Sequence, residues 1–314
     1  MSFSGRMQNS HYYTVFFAPR GRNRIYDLGM QIAQMYLSPY DLLIGIIGEA
    51  GSGKSMLIKG MFPGLELTND DNGVNVRPLP ILDLLDQDEE EGFFTAHTYH
   101  IDIRFEAAFT QIHELADAIL LAVQRGKRVI VEHFDMIYPF LKVNANLLIG
   151  MGEEIIITRP NVFGPQPQEI HEIVSKSVVY RRMAHTAEDL CEFFMSEEDR
   201  NRCRHGDVKH GFVLAFDKEM PTFDLDELEE KVKAAIEADL PISFIDDEHI
   251  LIGSDLHPCT GPRTHVPSTG CVEGFRLIKR FFHDPINNRY LLAGRVGKVT
   301  HNESNAELND ISLE

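Results

Sequence analysis

Cysteine is scarce. The four in 314 residues (Cys191, Cys203, Cys259 and Cys271) are too few for a disulfide framework, and reduced thiols are expected. No run of about 18 apolar residues occurs, so no membrane-spanning helix is predicted and no membrane partner is expected. The first ten residues, M-S-F-S-G-R-M-Q-N-S, hold no apolar core of the kind a secretory signal requires, which points to a cytoplasmic protein. Basic residues are also in deficit. The formal net charge of −18 opposes tight binding of tRNA or other nucleic acid, because phosphate contacts are made mainly by Lys and Arg. Local basic patches remain around Arg181 and Arg182 and around Arg276, Lys279 and Arg280.

With 43% apolar and 25% charged residues, the chain has the balance of a soluble globular protein long enough for two domains. An aromatic stretch, H-Y-Y-T-V-F-F-A, reads as extended and precedes a helix. Leu42 to Ile47, R-V-I-V-E (Arg128 to Glu132) and E-I-I-I-T (Glu154 to Thr158) read as buried strands. Helices are predicted from about Lys54, from about Phe105 to Gln124, and through Met183 to Phe194. Acidic D-Q-D-E-E-E (Asp86 to Glu91) reads as a solvated loop. Short strands alternating with helices predict an α/β fold with a parallel sheet covered by helices over residues 1–165. The Pro- and Gly-containing segment Asn161 to Glu169 marks the boundary to an α+β domain over 166–300. In it, V-L-A-F-D is a strand and an acidic amphipathic helix opens near Asp224 or Asp226. A polar tail, 301–314, is expected to be poorly ordered.

The strongest chemical signal is G-E-A-G-S-G-K-S: Gly48, Glu49, Ala50, Gly51, Ser52, Gly53, Lys54 and Ser55. It satisfies G-x-x-x-x-G-K-[ST] between a strand and a helix, the context in which backbone amides cradle phosphate oxygens. Lys54 would reach the β- and γ-phosphates of ATP or GTP, and Ser55 would coordinate Mg2+. An acid must hold the metal or its water, and Glu132 closes a strand that could lie beside the loop.

At this point the sequence resembles the uridine kinase family of P-loop kinases, through the phosphate loop, N-D-D (Asn69 to Asp71), V-I-V-E (Val129 to Glu132) and Tyr138-Pro139. The resemblance implies that Asp70 or Asp71 is the substrate-side acid and that Glu132 sits near the metal. Two features depart from it. The family's Gly after the Glu is His133, and instead of an Arg-rich lid the segment T-R-P (Thr158 to Pro160) offers a single arginine.

The second half carries D-L-H-P-C-T-G-P-R-T-H-V-P-S-T-G followed by F-R-L-I-K, with H-T-A-E-D-L (His185 to Leu190) upstream. Over roughly residues 176–297 it resembles the second additional domain of threonyl-tRNA synthetases and, more distantly, the editing domain of alanyl-tRNA synthetase and its free-standing relatives. Those domains join a Cys-x-x-x-His pair to a His-x-x-x-His helix in a zinc-type site. The resemblance implies ligation by His185, Asp189, Cys259 and His265, with His257 an alternative to Cys259. Asp189 replaces the family's second helical histidine, and the Cys–His spacing is two residues longer. Residues four apart on a helix can face one ion, and thiolate, imidazole and carboxylate all suit Zn2+. Cys191, Cys203, His205 and His210 fall outside this pattern.

Three functions are consistent with both halves. The first is an ATP-dependent, kinase-like phosphotransferase or NTPase acting on a nucleoside or other small molecule. The second is a trans-editing hydrolase of misacylated tRNA. The third is a non-catalytic nucleotide-dependent switch.

Overall fold

The computed structural model describes residues 13–68, 79–86 and 97–298. Its chain groups into two compact units, Met1–Phe16 with Ile25–Lys176, and Phe17–Arg24 with Ser177–Glu314. Asp70, Asp71 and the 301–314 tail lie outside the described residues, as does most of the Asp86 to Glu91 acidic run.

In chain order the first part comprises β1 (Tyr13–Phe17), α1 (Arg22–Tyr36), β2 (Leu43–Gly48), α2 (Lys54–Met61), α3 (Asp83–Asp86), β3 (Thr98–Asp102) and α4 (Ile103–Glu106). There follow α5 (Ile112–Gln124), β4 (Arg128–Glu132), α6 (Phe134–Leu141), β5 (Leu147–Met151), β6 (Glu154–Thr158) and α7 (Pro167–Phe194). Six strands form one sheet in the order β1-β6-β5-β2-β4-β3. Strands β3, β4, β2 and β5 run parallel. All six residues of β2 are buried, as expected for a strand covered on both faces.

The sheet is mixed α/β rather than wholly parallel, because β6 runs antiparallel to β5. Only Gly152 and Glu153 separate the two strands, with the Gly152 amide donating to the Glu154 carbonyl at 2.9 Å. A parallel return needs a crossover of a dozen or more residues, so this connection can only form a hairpin.

The single helix expected from Phe105 to Gln124 is two. Asp102 accepts the Phe105 amide at 3.1 Å and caps the one-turn α4, whereas Gln111 is extended (φ −68°, ψ 139°) at the start of α5. Leu115, Ala116, Ile119 and Ala122 of α5 then repeat at helical spacing and are buried in the core of this unit.

The second part adds α8 (Glu197–Arg202), β7 (Cys203–Val208), β8 (Gly211–Asp217), α9 (Leu225–Glu237), β9 (Ile242–Phe244), β10 (His249–Ile252), β11 (Asp255–Pro258), β12 (Arg276–Leu277), β13 (Phe282–Asp284) and β14 (Arg289–Arg295). β12-β14-β8-β7, with β13 beside β14, form one sheet, and β11-β10-β9 another. The strand pairings in both sheets are antiparallel. Of the two acids that could open α9, Asp224 is the cap. Its carboxylate accepts from the Asp226 and Glu227 amides at 2.8 and 3.0 Å, satisfying two amides that the helix itself cannot. Helix α7 is continuous from Pro167 to Phe194 and begins inside the Pro- and Gly-containing segment. Its later turns pack Ala184, Ala187, Leu190 and Cys191 into the core of the second unit, with Phe212, Leu214 and Phe216 of β8.

Candidate functional site

In the first unit, β2 ends at Gly48 and α2 begins at Lys54. The intervening turn places Gly51 at φ 75° and Gly53 at φ 92°, left-handed conformations that residues with a Cβ seldom adopt. The first amides of α2 have no partner within the helix, and together with its dipole they favour an anion at this end. Lys54 is buried, its ammonium donating to the Glu49 carbonyl at 3.1 Å.

Parallel pairing sets the acids beside this loop. Ile46 of β2 is in register with Glu132 of β4, and Glu132 with Asp102 of β3. Glu132 Oε1 accepts from the Ser55 hydroxyl at 3.2 Å, and Oε2 lies 3.6 Å from Lys54 Nζ. Thus Lys54, Ser55 and Glu132 meet at the carboxyl ends of the parallel strands, where ligands of open α/β sheets bind.

His100 was not singled out in the sequence, yet it orients Glu132. The Thr68 amide donates to His100 Nδ1 at 3.1 Å, so the ring proton lies on Nε2 and is donated to Glu132 Oε1 at 3.1 Å. Burial alone would raise the pKa of Glu132. The His100 hydrogen bond and the nearby Lys54 charge override it, and the pKa falls to about 2. The carboxylate is therefore ionised and fixed.

Asp102, Glu132 and His133 bring one ligand atom each within 4.8 Å of one another. His133 adopts φ 58°, ψ 45°. That backbone would suit glycine, and histidine is among the residues that tolerate it best. Burial and the neighbouring Lys54 lower the His133 pKa against the pull of Asp102 and Glu132. Arg159, the lone arginine of T-R-P, is committed elsewhere. It pairs with Asp41 and donates to the Tyr36 carbonyl at 2.6 Å.

In the second unit, His185 and Asp189 lie one turn apart on α7, and Cys259 and His265 follow β11. One donor atom from each of these four lies within 4.8 Å of the other three. Cys259 Sγ is 3.4 Å from His185 Nε2 and 3.8 Å from His265 Nε2. Asp189 Oδ1 is 3.6 Å from His185 Nε2, and its other oxygen, Oδ2, is 3.0 Å from His265 Nε2. A tetrahedral zinc shell with bonds of about 2.0–2.3 Å separates its donors by about 3.3–3.8 Å. Both Cys259 separations and the Asp189 Oδ1–His185 separation fall in that range; the shorter one is made by the second Asp189 oxygen.

The surroundings also suit a cation. His265 Nδ1 donates to the Pro262 carbonyl at 3.1 Å, which turns Nε2 toward the other donors. The Gly261 amide donates to Cys259 Sγ at 3.3 Å, an interaction that favours thiolate. Burial works to raise the pKa of Asp189, but His185 and His265 hold it well below the usual carboxylate range. Burial and the Asp189 charge push the Cys259 thiol up in the absence of a cation.

The N-terminal residues of this unit support the cluster. Arg20 donates from Nε and Nη2 to the two carboxylate oxygens of Glu188 at 3.1 and 3.0 Å, next to Asp189. The Arg22 amide donates to the Thr260 carbonyl at 3.0 Å. No sequence signal marks Arg20, which is 168 residues from its partner. One residue of each basic patch is engaged within this unit. Arg181 is buried and donates to the Pro19 carbonyl, while Lys279 pairs with Asp226 and Glu229 at 2.8 and 3.1 Å. His257, the alternative ligand, is not among the four. It joins Asp189 and Glu192 in a neighbouring group.

No protein-family model matches this chain, and no curated protein matches it significantly.

Proposed function

We propose that the first unit binds the phosphates of Mg·ATP, or Mg·GTP, on Gly48–Ser55 and acts as a kinase-like phosphotransferase or NTPase on a nucleoside or similar small molecule. The observation that carries this reading is the meeting of Lys54, Ser55 and Glu132 behind a glycine turn at the carboxyl edge of the sheet. The turn amides hold the phosphate oxygens, and Lys54 places a positive charge where negative charge grows as the phosphoryl group leaves. The Ser55 hydroxyl and the Glu132 carboxylate are the residues that would hold Mg2+ directly or through its water. Bound there, the ion would offset charge on the β- and γ-phosphates. His100 keeps Glu132 oriented and ionised. Asp70 or Asp71 is proposed as the acid facing the acceptor, by resemblance alone. The test is nucleotide turnover across a panel of nucleosides and amino acids. Product formation with one acceptor, lost in Lys54→Ala, supports the reading, and nucleotide binding without turnover on any acceptor supports the switch.

The second unit is proposed to hold a zinc-type ion on His185, Asp189, Cys259 and His265. The convergence of these donors favours a second reading, hydrolysis of an aminoacyl ester on tRNA. The net charge of −18 and the engaged Arg181 and Lys279 oppose it. Deacylation of mischarged tRNA without ATP would decide for it. A cytoplasmic location is proposed with either reading; among the described residues, no helix is long and apolar enough to cross a membrane.

A further inference from the structure

Helix α7 carries His185, Asp189 and Glu192 at i, i+4 and i+7, so the three lie along one face on successive turns. The first two belong to the zinc-type cluster. The third meets His257 of β11: Asp189, Glu192 and His257 each bring a ligand atom within 4.8 Å of the other two. We propose that these three residues form a second divalent-metal position, joined to the first through the Asp189 carboxylate. The inference rests on the first position holding a metal.

His257 is the independent observation. It is 1% exposed, and neither ring nitrogen has a hydrogen-bond partner among the described residues. A buried imidazole is ordinarily hydrogen-bonded through its N–H, and an imidazole nitrogen facing two carboxylates has the chemistry of a metal ligand. The ring of Phe193 stands edge-on to it at 5.9 Å, holding it against the last turns of α7.

Charge points the same way. Glu188, Asp189 and Glu192 are all buried on α7. Arg20 neutralises Glu188 through paired hydrogen bonds. His205 Nε2 meets Glu192 Oε1, the kind of partner that fixes a ligating carboxylate. Asp189 belongs to both groups and is the only residue common to the two. Two carboxylates and one imidazole form an oxygen-rich shell suited to Mn2+ or Zn2+, with coordination positions left for water. Paired cations of this kind are used to hold attacking and leaving oxygens in hydrolysis.

The test is metal binding to the full chain after chelation and dialysis, using Co2+ alone and Mn2+ alone and counting only the ions that remain in a Glu132→Gln background, which removes the cation position at the phosphate loop. This parent chain should take up two Co2+, the Cys259 position giving a sulfur-to-cobalt charge-transfer band. Glu192→Gln and His257→Asn should each take up one and keep that band; Cys259→Ser should lose it. Mn2+ bound at both positions should give an exchange-coupled electron paramagnetic resonance signal in the parent and an uncoupled one in Glu192→Gln. One Co2+ per chain in the parent, with the band present, overturns the second position and leaves the first intact. Uptake of none overturns both.

Discussion

Ser55 and Glu132 are 77 residues apart in the chain, and the hydroxyl of one donates to the carboxylate of the other at 3.2 Å. The contact exists because β2 and β4 are adjacent and parallel, with Ile46 and Glu132 in register, so the glycine turn leaving β2 opens beside the end of β4. Two groups suited to one hard cation are thereby held together before any ligand arrives.

Glu132→Gln keeps the size of the side chain and removes its charge. In wild type, Mg2+ should strengthen nucleotide binding by about tenfold or more, corresponding to ~1.4 kcal/mol. In the variant the affinities with Mg2+ and with a chelator should converge. Calorimetric titration under both conditions measures the difference, and an undiminished Mg2+ effect would remove Glu132 from the metal's surroundings.

Gly261→Ala tests the support of the zinc-type cluster. A Cβ there would lie 2.2 Å from the Arg20 carbonyl oxygen and 2.7 Å from His185 Cε1. The first obstacle is backbone and the second a proposed ligand, so neither can yield without moving the cluster. The variant should lose about 1–3 kcal/mol of stability, the usual range for overpacking, and bind Co2+ more weakly. Urea denaturation and Co2+ absorbance read the two effects separately.

Glu229, which belongs to neither cluster, gives a separate pH dependence. Its carboxylate accepts the Leu277 amide at 2.7 Å and pairs with Lys233 and Lys279. Burial would raise its pKa, but these partners outweigh burial and lower it below the ordinary 4.5. A depressed folded-state pKa means that the stabilisation is present above 4.5 and is lost as pH falls toward and through the folded value. Wild type should therefore lose more stability than Glu229→Gln on acidification from pH 5 to 3. Parallel curves in urea melts would contradict the assignment.

The glycine turn was legible because its requirements are local. Positive φ at Gly51 and Gly53 and a lysine at the helix start are written in consecutive residues. The strands R-V-I-V-E and E-I-I-I-T were equally legible as apolar runs, but the direction of β6 depended on the two-residue connection before it. The break between α4 and α5 is not written in the apolar periodicity, which continues across it, and Asp102 becomes a cap only where its carboxylate meets the Phe105 amide. The grouping of His185, Asp189, Cys259 and His265 came from a resemblance, since 74 residues separate His185 from Cys259 and no periodicity links them. His100, Arg20 and Glu192 gave no signal of their own, and His257 was legible only as an alternative to Cys259; each acquires its place from strand register or from packing on α7.

Calorimetric titration of the metal-replete protein with Mg·ATP and Mg·GTP tests the central claim most directly. The account predicts saturable binding of at least one of them at one site per chain, weakened about tenfold to a hundredfold by Lys54→Ala, as loss of a charged hydrogen bond to phosphate implies. Absence of binding heat with both nucleotides, or affinity unchanged in Lys54→Ala, would contradict it.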